Sequence, residues 1–256
     1  FRQNKMITYS LFAGLEQAMD YLLNWRFSED DIQYLRSLNA FDEEFLAYLN
    51  NMRFTGDVYA VKEGAPVFPG EPLLTVRAPL IQAQFAETAL LNIINHQTLI
   101  ATKAAKICRA AQGGIVMEFG LRRAQGPDAG IYGARAAIIG GCRSTSNVIT
   151  GQYYNVPVAG TMAHAWVMDY ENEYEAFKAY ANVYPDNSLL LGDTYDTVHS
   201  GIPNAIRVFK ELREAGHEPV GIRLDSGDFA YLTKKARKML DEAGFPDTII
   251  CASGDL

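Results

Sequence analysis

From Ile115 onward, short apolar runs of strand length alternate with helix-length stretches, and no other feature of the sequence restricts the fold as much. The runs are IVMEFG (115–120), GCRST (141–145), PVAGTM (157–162), SLLLGD (188–193), PVGIRL (219–224) and TIICAS (248–253). Each is too short for a helix and is bounded by Gly, Pro or polar residues, as a strand buried on both faces would be. Stretches such as NAIRVFKELREAGH and YLTKKARKMLDEAG lie between them, with apolar residues at helical spacing and a glycine at the close. Six such units in series predict a parallel sheet, because helical crossovers join parallel strands.

An open doubly wound sheet and a barrel both fit this alternation. The barrel is preferred, because polar residues end at least five of the six runs and would converge on one mouth. An open sheet would gather ligands mainly at its switch point. The expected fold class is α/β: an irregular (β/α) barrel of parallel strands over 113–256, incomplete in the sequence given, beside a smaller N-terminal α/β domain over 1–112. The chain opens at Phe1 without a leader pattern and stops just after a strand-like run. Both natural ends are therefore expected to lie outside it.

The N-terminal part has a different texture. Ser10–Trp25 carries apolar positions at helical spacing with Ser10 as the expected N-cap, and SEDDIQYLRSL and DEEFLAYLNNM read as two short helices opening on acids. Residues 54–79 alternate Val, Tyr and Leu with Gly and Pro turns, a small unit of short strands. That unit resembles biotinyl and lipoyl modules, but a structural role for its single lysine, Lys62, is the stronger reading. One or two long helices are expected over 82–114, stopped by Gly113-Gly114.

Composition narrows the function. With 48% hydrophobic and 21% charged residues the chain can bury a sizeable core, and no apolar run is long enough to span a membrane. A formal charge of −7 argues against a general nucleic-acid or membrane-surface binder. Cys108, Cys142 and Cys251 are odd in number and widely spaced, so neither a disulfide framework nor a zinc knuckle is indicated. A reducing, cytoplasmic setting fits.

Three runs close on aspartate, Asp193, Asp225 and Asp255, at intervals of about thirty residues. An acid at a strand end packs poorly but suits a site, and glycine beside it lets a ligand approach the backbone. Of the four histidines, His164 sits at such an end, in GTMAHAW. Near carboxylates it is a candidate acid, base or nucleophile. Two of the aspartates could orient the imidazole, bind Mg²⁺ with phosphate oxygens, or stabilise positive charge developing on a sugar. Arg223 lies two residues before Asp225 and so on the same side of the strand. In EFGLRRAQG, Phe119 could stack on a planar anion while Arg122 or Arg123 forks its oxygens. CRSTSN supplies Ser144, Thr145 and Ser146, hydroxyls where a carboxylate would repel an anion.

Taken together, EFGLRRAQG, GTMAHAW, LLLGDTYDT, GIRLDSGD and ASGDL closely resemble the nicotinate phosphoribosyltransferase family, as do FAGLEQAMDYL and the 54–79 unit. The resemblance runs in order along nearly the whole chain. It implies an irregular α/β barrel beside a smaller domain, and a homodimer with active sites at the subunit boundary. The implied reaction makes nicotinate mononucleotide and pyrophosphate from nicotinate and phosphoribosyl pyrophosphate, with Mg²⁺ and coupled ATP hydrolysis. Residue by residue it implies that Phe119 stacks on the pyridine ring and that Arg122 contacts the phosphoribosyl phosphate or the ring carboxylate. It further implies that Thr161 and Arg223 touch nicotinate, and that His164 is phosphorylated by ATP. Asp193 and Asp225 would lie near the ribose and metal, and Gly254 and Asp255 would begin the ribose-phosphate region.

The related nicotinamide enzyme uses an aspartate after strand two, where this chain has CRSTSN, which favours nicotinate. The quinolinate enzyme shares the fold but calls for more basic residues. Two family features are absent from the sequence: an N-terminal segment whose Tyr completes a neighbouring subunit's ring pocket, and a glycine-rich phosphate loop beyond strand six. The 256 residues alone are therefore expected to bind phosphoribosyl pyrophosphate poorly and turn over little. Alternatives from other classes are a metal-dependent barrel lyase or aldolase, which needs no phosphoribosyl donor, and a non-catalytic ligand-binding fragment.

Overall fold

The computed structural model describes residues 8–254. The chain falls into two compact units, Phe1–Ala159 and Gly160–Leu256.

In the first unit, β1 (Ser10–Leu11) precedes α1 (Leu15–Asn24), α2 (Glu29–Ser37) and α3 (Glu43–Asn51). The strands β2 (Asp57–Ala60), β3 (Pro66–Val67) and β4 (Leu74–Arg77) follow, then α4 (Leu80–Ala110). β2 pairs antiparallel with β4 in the register Val58↔Val76, and β3 pairs antiparallel with β1. Ser10 therefore belongs to a strand and caps no helix. α1 begins at Leu15, where the Glu63 carboxylate accepts the Gly14 and Leu15 N–H groups at 2.6 and 3.0 Å. A side chain 48 residues away thus supplies the cap expected from a neighbour.

The two short helices do cap locally. Ser28 accepts from Asp31 N while Asp31 reaches back to the Ser28 N–H, and Asp42 accepts from Phe45 N, each cap contributing about 1 kcal/mol. Lys62 is exposed, and its neighbour Glu63 faces inward onto Arg135. The 54–79 unit packs Val67, Val58 and Val76 with Phe12 and Leu22 against Leu90 and Ile94 of α4.

α4 is one uninterrupted helix of 31 residues. β5 (Met117–Glu118), α5 (Pro127–Ile139), β6 (Ser144–Thr145) and α6 (Val148–Tyr154) complete the unit. α4 and α5 approach closely through small residues: a Cβ on Gly140 would lie 2.5 Å from Ala101 O. β5 and β6 are parallel. The run PVAGTM forms no strand of its own, only a parallel bridge from Thr145 to Val158. Pro157 lacks the N–H that would extend the ladder, and Gly160 favours strand poorly.

The second unit holds α7 (His164–Met168), α8 (Glu173–Val183), β7 (Leu189–Leu191), α9 (Ile202–Glu214), β8 (Gly221–Leu224), α10 (Phe229–Glu242) and β9 (Ile249–Ala252). Its sheet runs β7-β8-β9, all parallel, with Leu191↔Arg223 and Arg223↔Cys251 as register partners. Leu190, Leu191, Ile222 and Leu224 are fully buried, packed with Phe177, Phe209 and Phe245. That burial is why these strands read as continuous apolar runs rather than alternating ones. The architecture is mixed α/β: β5 to β9 pair only in parallel, and helices follow β7 and β8.

Candidate functional site

Within the second unit, three strand ends and one helix start bring the predicted residues together. β7 continues into Gly192 and Asp193, β8 into Asp225 and Ser226, and β9 into Ser253 and Gly254, while α7 opens on His164. Parallel register aligns these ends. Gly192 N donates to Arg223 O at 3.0 Å, and Ser253 N donates to Leu224 O at 2.9 Å. Gly254 takes φ +131°, and a Cβ there would sit 3.1 Å from Asp225 O, so glycine is required by both conformation and space. Asp255 lies outside the described residues.

Asp193 is held from one side. Its Oδ2 accepts from Asp225 N at 2.9 Å and from the Ser226 hydroxyl at 2.6 Å. The side chain is 1% exposed, yet Oδ1 has no hydrogen-bond partner among the described residues. Asp225 is held likewise: Oδ1 accepts from Arg223 Nη2 and from the Ser253 hydroxyl, each at 2.5 Å. The oxygens left over both face the His164 imidazole, Asp225 Oδ2 at 3.5 Å and Asp193 Oδ1 at 4.0 Å from Nε2. On the other side of the ring, His164 Nδ1 shares a hydrogen bond with the Thr194 hydroxyl at 3.1 Å. His164 is thus clamped between a hydroxyl and two carboxylates, with 36% of its side chain open.

Arg223 forms the second pole. Nε donates to Ser253 Oγ at 2.7 Å, and Nη1 donates to Thr161 Oγ1 at 2.6 Å and Met162 O at 3.3 Å. Burial acts to raise the Asp225 carboxyl's pKa, but the Ser253 hydroxyl and the Arg223 guanidinium outweigh it, with His164 adding in the same sense. The group is held below the usual carboxylate range and stays ionised. A guanidinium so fixed in place, with Thr161 beside it, is an oriented donor for a planar carboxylate.

The loop from Gly192 to Gly201 that carries Asp193 and Thr194 is tightly folded. Asp196 caps the Val198 and His199 N–H groups, and a Cβ on Gly201 would fall 1.8 Å from Gly192 O. The sequence reading missed Thr194, Ser226 and Ser253. The two serines stand in LDSGD and ASGD, where a hydroxyl precedes Gly-Asp each time. Only register shows that those hydroxyls serve neighbouring strands' carboxylates.

In the first unit, Phe119 follows β5 half-buried, and Arg122 sits exposed on the turn Leu121–Arg123. Arg123 lines a cavity of about 770 Å³ with His96, Glu118, Asp128 and Tyr132; Arg122 does not. Of the three strand-two hydroxyls, Ser144 and Thr145 are buried and Ser146 is partly open. Thr145 donates to Glu118 Oε2 at 2.5 Å, so its proton is committed to a carboxylate within the unit.

Residues 1–95 match the nicotinate phosphoribosyltransferase (NAPRTase) N-terminal domain, and residues 115–250 match the nicotinate phosphoribosyltransferase (NAPRTase) family. The chain is 55% identical over 248 residues to the nicotinate phosphoribosyltransferase of Bacillus subtilis, covering 97% of this chain and 50% of that protein. The crystal structure of human nicotinic acid phosphoribosyltransferase superposes with a TM-score of 0.91 at 32% identity, covering 98% of this chain and 62% of that one. Nicotinate-nucleotide pyrophosphorylase from Pyrococcus furiosus shares the fold at a TM-score of 0.79 and 24% identity, over 100% of this chain and 58% of that one. The chain spans about half the length of the curated relatives it matches. The second match contains every described residue of the clamp around His164 except Ser253 and Gly254, and on these matches the chain belongs to the nicotinate phosphoribosyltransferase family.

Proposed function

We propose that the chain carries the site of a nicotinate phosphoribosyltransferase of NAD biosynthesis, coupled to ATP through a phosphohistidine at His164. The observation that carries this reading is the pair of uncommitted carboxylate oxygens, Asp193 Oδ1 and Asp225 Oδ2, facing His164 Nε2. In the synthetic step the pyridine nitrogen bonds to C1 of the ribose as the C1–oxygen bond to pyrophosphate breaks. Positive charge develops on the sugar, and a fixed carboxylate nearby stabilises it. In the coupling step an imidazole nitrogen attacks the γ-phosphorus of ATP, the bond to the β–γ bridging oxygen breaks and ADP leaves. Thr194 and the two carboxylates hold the ring for that attack.

Mg²⁺ fits these residues. Asp193 Oδ1 is a buried acceptor without a partner, Asp225 Oδ2 faces the same imidazole nitrogen, and Mg²⁺ commonly takes one or two carboxylates with substrate phosphates and water. Among the described residues no group of three or more His, Cys, Asp or Glu side chains is arranged to hold a metal ion, so the remaining ligands would come from substrate phosphates and water. When bound, the ion would neutralise phosphate charge.

Arg223 and Thr161 are assigned to the nicotinate carboxylate, Phe119 to the ring, and Arg122 and Gly254 with Asp255 to the phosphoribosyl group. The finer architecture belongs to the same proposal: an irregular (β/α) barrel from residue 113, a smaller α/β domain over 1–112, a homodimer, and a cytoplasmic setting. Parallel pairing of β5 with β6, and of β7, β8 and β9 with one another, supports the barrel. No described helix is long and apolar enough to cross a membrane.

The test offers nicotinate, nicotinamide and quinolinate separately with phosphoribosyl pyrophosphate and Mg²⁺, with and without ATP. It uses the chain itself and a form extended to the length of its relatives. Nicotinate mononucleotide, enhanced by ATP, is the expected product; no mononucleotide from any acceptor in either form removes the functional reading. Arg223→Ala should weaken nicotinate about 10- to 100-fold and nicotinamide far less, since the lost contact is a hydrogen bond between charged groups. Equal weakening of both, measured by calorimetry, rejects the carboxylate role.

A further inference from the structure

A buried carboxylate outside the clamp stands beneath the loop that builds it. Glu173, the first residue of α8, is 1% exposed, and among the described residues it forms no ion pair. Its Oε2 accepts the Ser200 hydroxyl, and Oε1 is buried without a hydrogen-bond partner. Burying a carboxyl with no cation is costly, and a helix-capping role does not require it, because Asn172 already caps α8. Ser200 is the loop's last residue before Gly201 and is itself fixed by Asp196, whose carbonyl accepts the Ser200 and Gly201 N–H groups at 3.0 and 2.8 Å. From Ser200 the chain leads back through six residues to Thr194 and Asp193, closed on itself where Gly201 meets Gly192.

We propose that Glu173 is a positioning residue for His164: by holding Ser200 it fixes the 192–201 loop, so that the Thr194 hydroxyl meets His164 Nδ1 and Nε2 points at Asp193 and Asp225. The proposal rests on the functional reading above. It places the control of the ring's orientation two contacts away from the ring, on a different helix. Burial raises the Glu173 carboxyl's pKa, the Ser200 hydroxyl opposes that, and the Asp193 charge adds to it. A glutamine carbonyl oxygen would accept the Ser200 hydroxyl as Oε2 does, so a neutral side chain of the same shape should serve nearly as well.

Four variants decide it: Glu173→Ala, Glu173→Gln, Ser200→Ala and Thr194→Val. The readouts are the ring ¹⁵N signals of His164 in substrate-free, histidine-labelled protein, and kcat and KM for nicotinate in the ATP-stimulated reaction. Glu173→Ala should lower kcat about tenfold, leave KM within about twofold, and move the His164 signals toward those of Thr194→Val. Glu173→Gln should stay near the wild type, and the Glu173→Ala, Thr194→Val double variant should be no worse than Thr194→Val alone. Unchanged His164 signals in Glu173→Ala, or additive losses in the double variant, overturn the proposal. Should Glu173→Ala fail to fold, Ser200→Ala carries the test: it removes the same link from the loop side, and wild-type signals there reject the idea. A wild-type protein that makes no product would defeat the functional reading, while the ring signals would still decide the role of Glu173.

Discussion

Replacing Arg135 with alanine is expected to destabilise the first unit by about 3 kcal/mol, the low end of the cost of stripping the partner from a buried ion pair, because Glu63 and Glu16 keep part of their hydration. Arg135 is 8% exposed on α5. Its Nη1 donates to Glu63 Oε1 at 3.0 Å and Gln97 Oε1 at 3.2 Å, and its Nη2 to Glu63 Oε2 at 2.7 Å and Glu16 Oε2 at 2.5 Å. One guanidinium therefore ties α1, α4, α5 and the β-unit turn, and the Glu63 it anchors also supplies the first N–H acceptors of α1. Removing it leaves Glu63 charged and half-buried while its capping geometry relaxes, so thermal melting should show the loss. A decrease below 1 kcal/mol would mean that water replaces the guanidinium.

The same network gives a pH dependence with a defined sign. Burial acts to raise the Glu63 pKa, but Arg135 and the Gly14 and Leu15 N–H groups overcome it and hold the carboxyl below its ordinary value. A group depressed on folding contributes stability that is complete above its unfolded pKa of about 4.3 and is lost as pH falls through the lower folded value. Arg135→Ala should therefore melt with a shallower acid dependence than the wild type.

Replacing His164 with alanine is expected to abolish ATP stimulation of nicotinate mononucleotide synthesis while leaving nicotinate affinity within about twofold. Arg223 and Thr161, assigned to nicotinate, are fastened by Asp225, Ser253 and Met162 O and make no hydrogen bond to His164. The residual rate should equal the wild type's rate without ATP. With γ-³²P-labelled ATP, the wild type should acquire an acid-labile, base-stable label and the variant none. The empty position leaves two carboxylate oxygens facing open space, so a tighter response to Mg²⁺ in the variant's melting temperature is a further expected sign. Persistence of full ATP stimulation would remove His164 from the coupling step.

Much of this was legible in the residues. Apolar runs of four to six residues located β5 to β9 because strands covered on both faces have no polar alternation to hide them. Gly after helical stretches marked the ends of α9 and α10, where Gly216 and Gly244 take φ of +89° and +87°. Asp193, Asp225 and Arg223 were identifiable because strand ends in a parallel sheet share one rim; His164 was identifiable because it follows a strand-like run, although in the structure it opens α7. Other features were not visible. PVAGTM has the composition of a strand but contributes a single bridge, since a proline and a glycine flank its pairing residues. Ser10 has the chemistry of a helix cap, yet its backbone is used in a strand.

What the sequence by itself determined is what local periodicity and residue chemistry encode: the alternation of elements, the family, and which side chains could react. The tertiary structure decided which atoms are free to do so. Asp193 Oδ2 and Asp225 Oδ1 are consumed by serines and an arginine from other positions, leaving one oxygen of each for His164. The cap of α1 and the anchor of the 192–201 loop come from Glu63 and Glu173, and Arg135 reaches Glu16 across 119 residues. A hydrogen bond is specified by position in space, and the sequence records position in space only through the packing that creates it.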